Sequence, residues 1–113
     1  MRLMVENARD AGVILECLWA TVSGPFFEDW EFETLMGFGR DEIRRIAESW
    51  PTAEDDRAQR IAVNNALNNL LSYPHNRWDV WHDYISSTPT EIAGVYERFL
   101  RNAKTDRYFD RLM

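Results

Sequence analysis

The chain has 113 residues, which suits one domain, and we expect a single all-helical domain over residues 1–113. Apolar residues make up 45% and aromatic residues 13% of the chain, so it can bury a core, and this composition excludes intrinsic disorder. The net charge is -6, with twelve arginines and one lysine against 19 acidic residues, which excludes the basic surface that nucleic-acid binding needs.

The sequence shows neither a membrane-spanning segment nor a secretory signal, which leaves the reducing cytoplasm as the expected compartment. No apolar run approaches the roughly 18 residues of a membrane-spanning helix. The N-terminal stretch MRLMVENARD becomes polar too early for a secretory signal. The one cysteine, Cys17, allows neither an intrachain disulfide nor a cysteine-rich metal site. We therefore expect a cytoplasmic protein without membrane contact.

The first predicted element is a helix over residues 3–23. Its apolar residues recur at spacings of four and three, which places them along one helix face. Gly24 and Pro25 end the helix, because glycine accepts the left-handed cap conformation and proline cannot continue the backbone hydrogen bonds.

The next segment, GPFFEDWEFETLMGFG, carries two conflicting patterns. Residues 30–36 alternate between apolar and polar side chains, as a strand does. The sequence offers no convincing second strand, and a lone strand leaves its backbone groups unpaired. We therefore expect a short helix that ends at Gly37.

Four more helices are predicted, over residues 41–50, 53–72, 77–85 and 89–103. Thr52 and Asn76 are the expected caps of the second and third of these. The last one has a strong start signal, with Thr88 as cap, Pro89 at the first helical position and Glu91 completing a capping box. The predicted fold class is all-α, a compact array of five to six helices joined by short Gly/Pro turns.

The C-terminal stretch of residues 105–113 is a predicted docking tail. A helix of this length cannot stand alone in water, so its apolar side must pack on the core of the same chain, on a second copy or on another protein. In the second case the tail forms a homodimer interface through Tyr108, Phe109, Leu112 and Met113.

The central helix, residues 53–72, is rich in asparagine. Asn64, Asn65, Asn68 and Asn69 share one face with Ala58 and Ile61, which indicates a helix that is buried on both sides. Buried amides must be hydrogen-bonded. We therefore expect these asparagines to hold neighbouring turns, such as residues 23–27 or residues 72–76.

An alternative function for the same region is the binding of a small polar molecule or a metal. The candidate ligand residues are Asn65, Asn68, Asn69, His75 and His82. His75, Asp79 and His82 also have a two-histidine, one-carboxylate composition that some metals use. This spacing is common by chance and His75 precedes the expected helix, so no metal site is predicted.

The best candidate for a partner surface is the aromatic and acidic segment around residue 30. Residues 28–56 carry ten acidic residues against three arginines, which suits a basic partner. Most aromatic residues here are expected in the core, and those left exposed would anchor the contact. The predicted contact residues are Phe26, Phe27, Glu28, Asp29, Trp30 and Glu31.

No catalytic motif is present in the sequence. It lacks a G-x-S-x-G turn, an S-x-x-K motif and a glycine-rich phosphate loop followed by lysine, and Cys17 is expected to be a buried, inert thiol. Arg40, Arg44 and Arg45 raise a DNA-binding helix-turn-helix as a further possibility, which the net charge disfavours. The sequence therefore predicts a non-enzymatic, cofactor-free protein that binds another protein and, by analogy with small acidic proteins that mask basic effectors, inhibits or protects it.

Overall fold

The computed structural model describes residues 8–51 and 56–104 of the chain. These residues form six α-helices without any strand, so the predicted all-α class and compact helical array are confirmed for this part of the chain. The helices are α1 (Ala8–Ser23), α2 (Asp29–Met36), α3 (Arg40–Ser49), α4 (Asp56–Ser72), α5 (Trp81–Tyr84) and α6 (Pro89–Lys104).

The Asn-rich helix α4 lies at the centre of the array. It packs against α1, α2, α3 and α6. One stripe of α4 is fully buried because its apolar residues follow the helical period. This stripe consists of Ala62, Val63, Ala66, Leu67 and Leu70. The predicted central position of the helix is confirmed.

The asparagines of α4 hold the end of α2. Asn65 Nδ2 donates to the carbonyl of Met36 at 2.9 Å, and Asn69 Nδ2 donates to the carbonyl of Leu35 at 3.0 Å. These carbonyls lie in the last turn of α2, where no backbone N–H of the helix can reach them. The predicted targets, the turns at residues 23–27 and 72–76, were wrong, because helix packing brings the end of α2 onto this face instead.

The other two asparagines differ in their surroundings. Asn64 lies toward α6 and accepts a hydrogen bond of 2.7 Å from the hydroxyl of Tyr96. Asn68 is exposed. The four asparagines therefore divide into three that join elements and one that faces solvent.

Local sequence signals set most helix ends. Gly37 ends α2 in the left-handed conformation, with φ of 80°, as expected. The capping box before α6 is confirmed, since Glu91 N–H donates to Thr88 Oγ1 at 3.1 Å and Thr88 N–H donates to Glu91 Oε1 at 3.0 Å. The hydrogen bond from the Thr88 backbone also lowers the pKa of Glu91.

The predicted helix over residues 77–85 is wrong in its first half. A 3-10 turn, Trp78–Val80, precedes the single helical turn α5. Asn76 does not cap a helix there, because its backbone is left-handed, with φ of 57°. Asparagine is favoured both as a helix cap and in left-handed turns. The residue type alone therefore does not show which of the two roles Asn76 has.

Two long-range contacts fix α1 in the array. Arg98 of α6 donates to both carboxylate oxygens of Asp10 at 2.7 and 3.0 Å, and the Asp10 side chain is only 5% exposed. The indole N–H of Trp50 donates to the carbonyl of Ala11 at 2.8 Å. Both contacts lie near the start of α1, so this end is held by α6 and by the end of α3.

In the described part of the chain, none of the helices combines the length and the apolar character that crossing a membrane requires.

We expect Asn69→Ala to lower the free energy of unfolding by about 1–2 kcal/mol, because the substitution leaves the Leu35 carbonyl without its donor. Asn68→Ala is the matched control on the same helix. Both substitutions gain the same helix propensity, so the difference between them measures the hydrogen bond. Urea denaturation followed by circular dichroism gives both values, and equal stabilities would contradict the role assigned to Asn69.

Candidate functional site

The two phenylalanines of the predicted partner surface lie in the core, which corrects their assignment as contact residues. Phe26 packs edge-on against the rings of His75 and Trp81, with centroids 5.0 and 5.7 Å away. Phe27 packs against Phe32 at 6.4 Å. The two residues are neighbours in the loop between α1 and α2, and this loop is neither helix nor strand. Its irregular backbone allows both side chains to be buried. Their side chains are therefore not available to a partner.

Arg40, the first residue of α3, holds this loop in place. Its guanidinium donates to the carbonyls of Thr21 and Val22, both at 3.0 Å, and to the carbonyl of Phe27 at 2.8 Å. The first two carbonyls end α1 and lack helical donors. The guanidinium carbon also lies 4.3 Å from the centroid of the Phe32 ring. One arginine thus joins the end of α1, the loop and α2.

Two of the four acidic residues in the segment are bound within the chain. Asp29 Oδ1 lies 2.9 Å from Arg40 Nη2. Both carboxylate oxygens of Glu31 accept from the hydroxyl of Tyr73, at 2.6 and 2.7 Å, and this hydrogen bond raises the pKa of Tyr73. Their charges remain at the surface, but their geometry serves the fold.

Among the exposed residues of the segment, Trp30 and two acidic residues close to it in sequence define a candidate surface. Trp30 is 80% exposed, the most exposed of the large apolar side chains in the described residues. Glu33 lies one helical turn further along α2, and Glu28 precedes the helix; both are exposed. We call Glu28, Trp30 and Glu33 the Trp30 surface. Of the six predicted contact residues, Glu28 and Trp30 belong to it.

A second surface feature was missed by the sequence analysis. A shallow groove of about 420 Å³ lies between α1 and α5. Leu15, Glu16 and Trp19 line it from α1, and Asp83 and Tyr84 line it from α5. We call it the α1–α5 groove. Its two sides come from residues 12–23 and 83–84, which are far apart in sequence, so no local pattern could indicate it.

His75, a residue of the alternative ligand site, is buried and used by the fold. Its Nδ1 accepts from the backbone N–H of Arg77 at 2.9 Å, which assigns the proton to Nε2, and Nε2 then donates to the carbonyl of Leu70 at 3.1 Å. Its ring also lies 4.5 Å from that of Trp78. Both ring nitrogens of His75 are therefore occupied by backbone groups.

The remaining residues of that alternative are held in different parts of the fold or face solvent. The amides of Asn65 and Asn69 bind the end of α2, Asn68 is exposed, and His82 Nδ1 lies 3.0 Å from the carbonyl of Ile85. None of these residues lines the α1–α5 groove. No group of three or more histidine, cysteine, aspartate or glutamate side chains with metal-binding geometry occurs among the described residues.

Cys17 is fully buried on α1, as expected. Burial raises the pKa of its thiol, which keeps the sulfur protonated and unreactive at neutral pH. The predicted interface residues of the tail, Tyr108, Phe109, Leu112 and Met113, lie outside the described residues, and the homodimer stays a prediction.

Comparisons with protein families, with curated proteins and with solved structures give no match to this chain. Its candidate surfaces therefore have to be judged on their own chemistry.

We expect Arg40→Lys to lower the free energy of unfolding by about 2 kcal/mol, because an ammonium group cannot reach three carbonyls, a carboxylate and a ring face together. Arg45→Lys, an exposed position on the same helix, should change it by less than about 0.5 kcal/mol. Chemical denaturation of both variants tests this. An unchanged Arg40→Lys stability would show that the arginine does not hold the loop.

His75 should make the stability of the protein depend on pH. Burial lowers its pKa below the ordinary 6.5, so the unfolded chain binds a proton there before the folded chain does. The contribution of neutral His75 is present above pH 6.5 and is lost as the pH falls from 6.5 toward the folded pKa.

The measurement is urea denaturation between pH 7.5 and 5 for the native protein, His75→Gln and His82→Gln. The gap in unfolding free energy between the native protein and His75→Gln should narrow below about pH 6.5. His82→Gln retains His75, so the loss of stability that His75 causes below about pH 6.5 should persist in this variant. A gap that stays constant with pH would contradict the buried neutral imidazole.

Proposed function

We propose that this chain is a non-enzymatic protein-binding domain that contacts a basic protein through the Trp30 surface. The observation that carries the proposal is the 80% exposure of Trp30 on a helix whose neighbouring acidic residues, Glu28 and Glu33, are also exposed. A tryptophan buries more apolar area on contact than almost any other side chain, and it is enriched among the residues that dominate protein interfaces.

The support of α2 strengthens this proposal. Arg40 holds the loop and the first turn of the helix, and the Asn65 and Asn69 amides hold its last turn. An eight-residue helix does not form alone in water, so these contacts keep Trp30 in one position before a partner arrives. A contact residue on a fixed element loses little conformational entropy on binding.

The negative charge of the chain indicates which class of partner to expect. The net charge of -6 and the acidic bias of residues 28–56 favour approach of a positively charged protein, because complementary potentials raise the rate of association. Asp29 stays 94% exposed beside Arg40, and Glu28 and Glu33 are exposed too, so the partner's basic groups would meet these three carboxylates. Covering a basic functional surface in this way would inhibit or protect the partner.

The proposed setting of this complex is the cytoplasm. A reducing compartment suits a chain whose single cysteine is a free, buried thiol.

The test is affinity capture from a soluble extract of the organism that encodes the chain. The native protein, Trp30→Ala, Glu33→Gln and Glu48→Gln are immobilised in equal amounts, and retained proteins are quantified by mass spectrometry. Glu48 is an exposed acidic residue on α3, so Glu48→Gln matches the charge change of Glu33→Gln away from Trp30. Circular dichroism of each variant confirms that the fold is retained.

We expect the native protein and Glu48→Gln to retain the same basic protein. Trp30→Ala should weaken its capture by about thirtyfold or more, the usual effect of removing a dominant interface tryptophan. Glu33→Gln should weaken it less, and added salt should reduce capture throughout because exposed charges are screened. Equal retention by native protein and Trp30→Ala, or retention of acidic proteins alone, would overturn the proposal.

A further inference from the structure

We infer that the α1–α5 groove binds an arginine side chain of the protein partner. This inference deepens the proposed function and rests on it, because it names the group of the partner that a second surface would recognise.

The groove is lined by two aromatic residues and two acidic residues. Trp19 and Tyr84 lie on its two sides, and Glu16 and Asp83 supply the charge. Its lining in the described part of the chain includes two acidic residues and no lysine or arginine, which suits a cationic group. A planar guanidinium can lie against an aromatic face while its N–H groups bind a carboxylate, which an ammonium group does less well.

One of the carboxylates is already fixed in position. Glu16 accepts from both the backbone N–H and the hydroxyl of Ser86, with a hydroxyl distance of 2.9 Å. This contact joins α1 to the segment after α5 and holds the acidic side of the groove. Tyr84 is held in turn by an edge-on contact with the buried ring of Phe26, at 5.8 Å. Glu16 and Tyr84 therefore need little ordering on binding.

The same chain contains an internal example of this recognition. Arg40 lies over the ring of Phe32 and pairs with the carboxylate of Asp29. The α1–α5 groove presents the same two kinds of group, an aromatic ring and a carboxylate, at the surface. The chemistry that holds an arginine within the fold is thus available to an arginine from outside.

Gly12 offers a way to block the groove without removing any recognition group. It lines the groove, and a Cβ built on it would have no atom within 4 Å. Gly12→Leu should therefore project a side chain into open space and occupy the groove. Since leucine forms helices better than glycine, the variant should fold at least as well as the native protein.

The experiment titrates N-acetyl-arginine methylamide into isotope-labelled native protein, Asp83→Asn, Asp79→Asn and Gly12→Leu, with chemical shifts followed by NMR. The citrulline analogue, which is nearly isosteric and uncharged, is the ligand control. Asp79→Asn makes the same charge change as Asp83→Asn at an exposed residue outside the groove.

We expect the arginine compound to shift the Trp19 indole and Tyr84 signals and to bind about tenfold more tightly than the citrulline compound. Asp83→Asn should weaken binding by about threefold to tenfold, Gly12→Leu should abolish the shifts, and Asp79→Asn should bind like the native protein. Equal binding of both compounds, shifts centred elsewhere, or unchanged binding to Gly12→Leu would overturn the inference.

The two proposals fail separately. Loss of arginine binding leaves the capture difference between native protein and Trp30→Ala unchanged, since Trp30 does not line the groove. Conversely, the NMR titration can be interpreted even if no partner is captured, because the titration uses only the purified chain and a small compound. Affinity capture with Gly12→Leu tests whether the groove contributes to partner binding. We expect this variant to capture less partner than the native protein does. Equal capture would overturn the role of the groove in partner binding.

Discussion

The fold depends on burying α4 against four other helices. A helix in this position needs partners inside the protein for its polar side chains, because water reaches little of its surface. Asn65 and Asn69 meet this need at the end of α2, and Asn64 meets it at Tyr96. Gln59, also buried, is the exception, since its amide has no hydrogen bond within the described part of the chain. The hydrogen bonds that the Asn65 and Asn69 amides need thus help to position the end of α2.

The two ends of α2 are held by different chemistry. A guanidinium from α3 binds the loop before it, and amides from α4 bind its last carbonyls. Between these two points Phe32 and Met36 are buried in the core, and Leu35 packs against it. Apolar packing and the polar contacts at its two ends therefore set the orientation of this helix together, and with it the direction in which Trp30 faces solvent.

Sequence reasoning succeeded where the physics is local. The helical periodicity, the left-handed cap at Gly37 and the box formed by Thr88 and Glu91 each depend on residues within a few positions of one another. It failed where partners come from distant elements. The bond between Tyr73 and Glu31 spans 42 residues, and nothing near Glu31 distinguishes it from an acid open to a partner. The groove between α1 and α5 is hidden for the same reason.

The close approach of α4 to Gly37 has a consequence for how this fold can evolve. Gly37 needs its left-handed backbone, and a Cβ there would lie 3.3 Å from Asn65 Nδ2, the group that binds the Met36 carbonyl. A side chain at position 37 would both strain the turn and crowd that amide. We expect natural variation at positions 37 and 65 to be correlated, so that the pair changes together or is kept together wherever the fold is inherited.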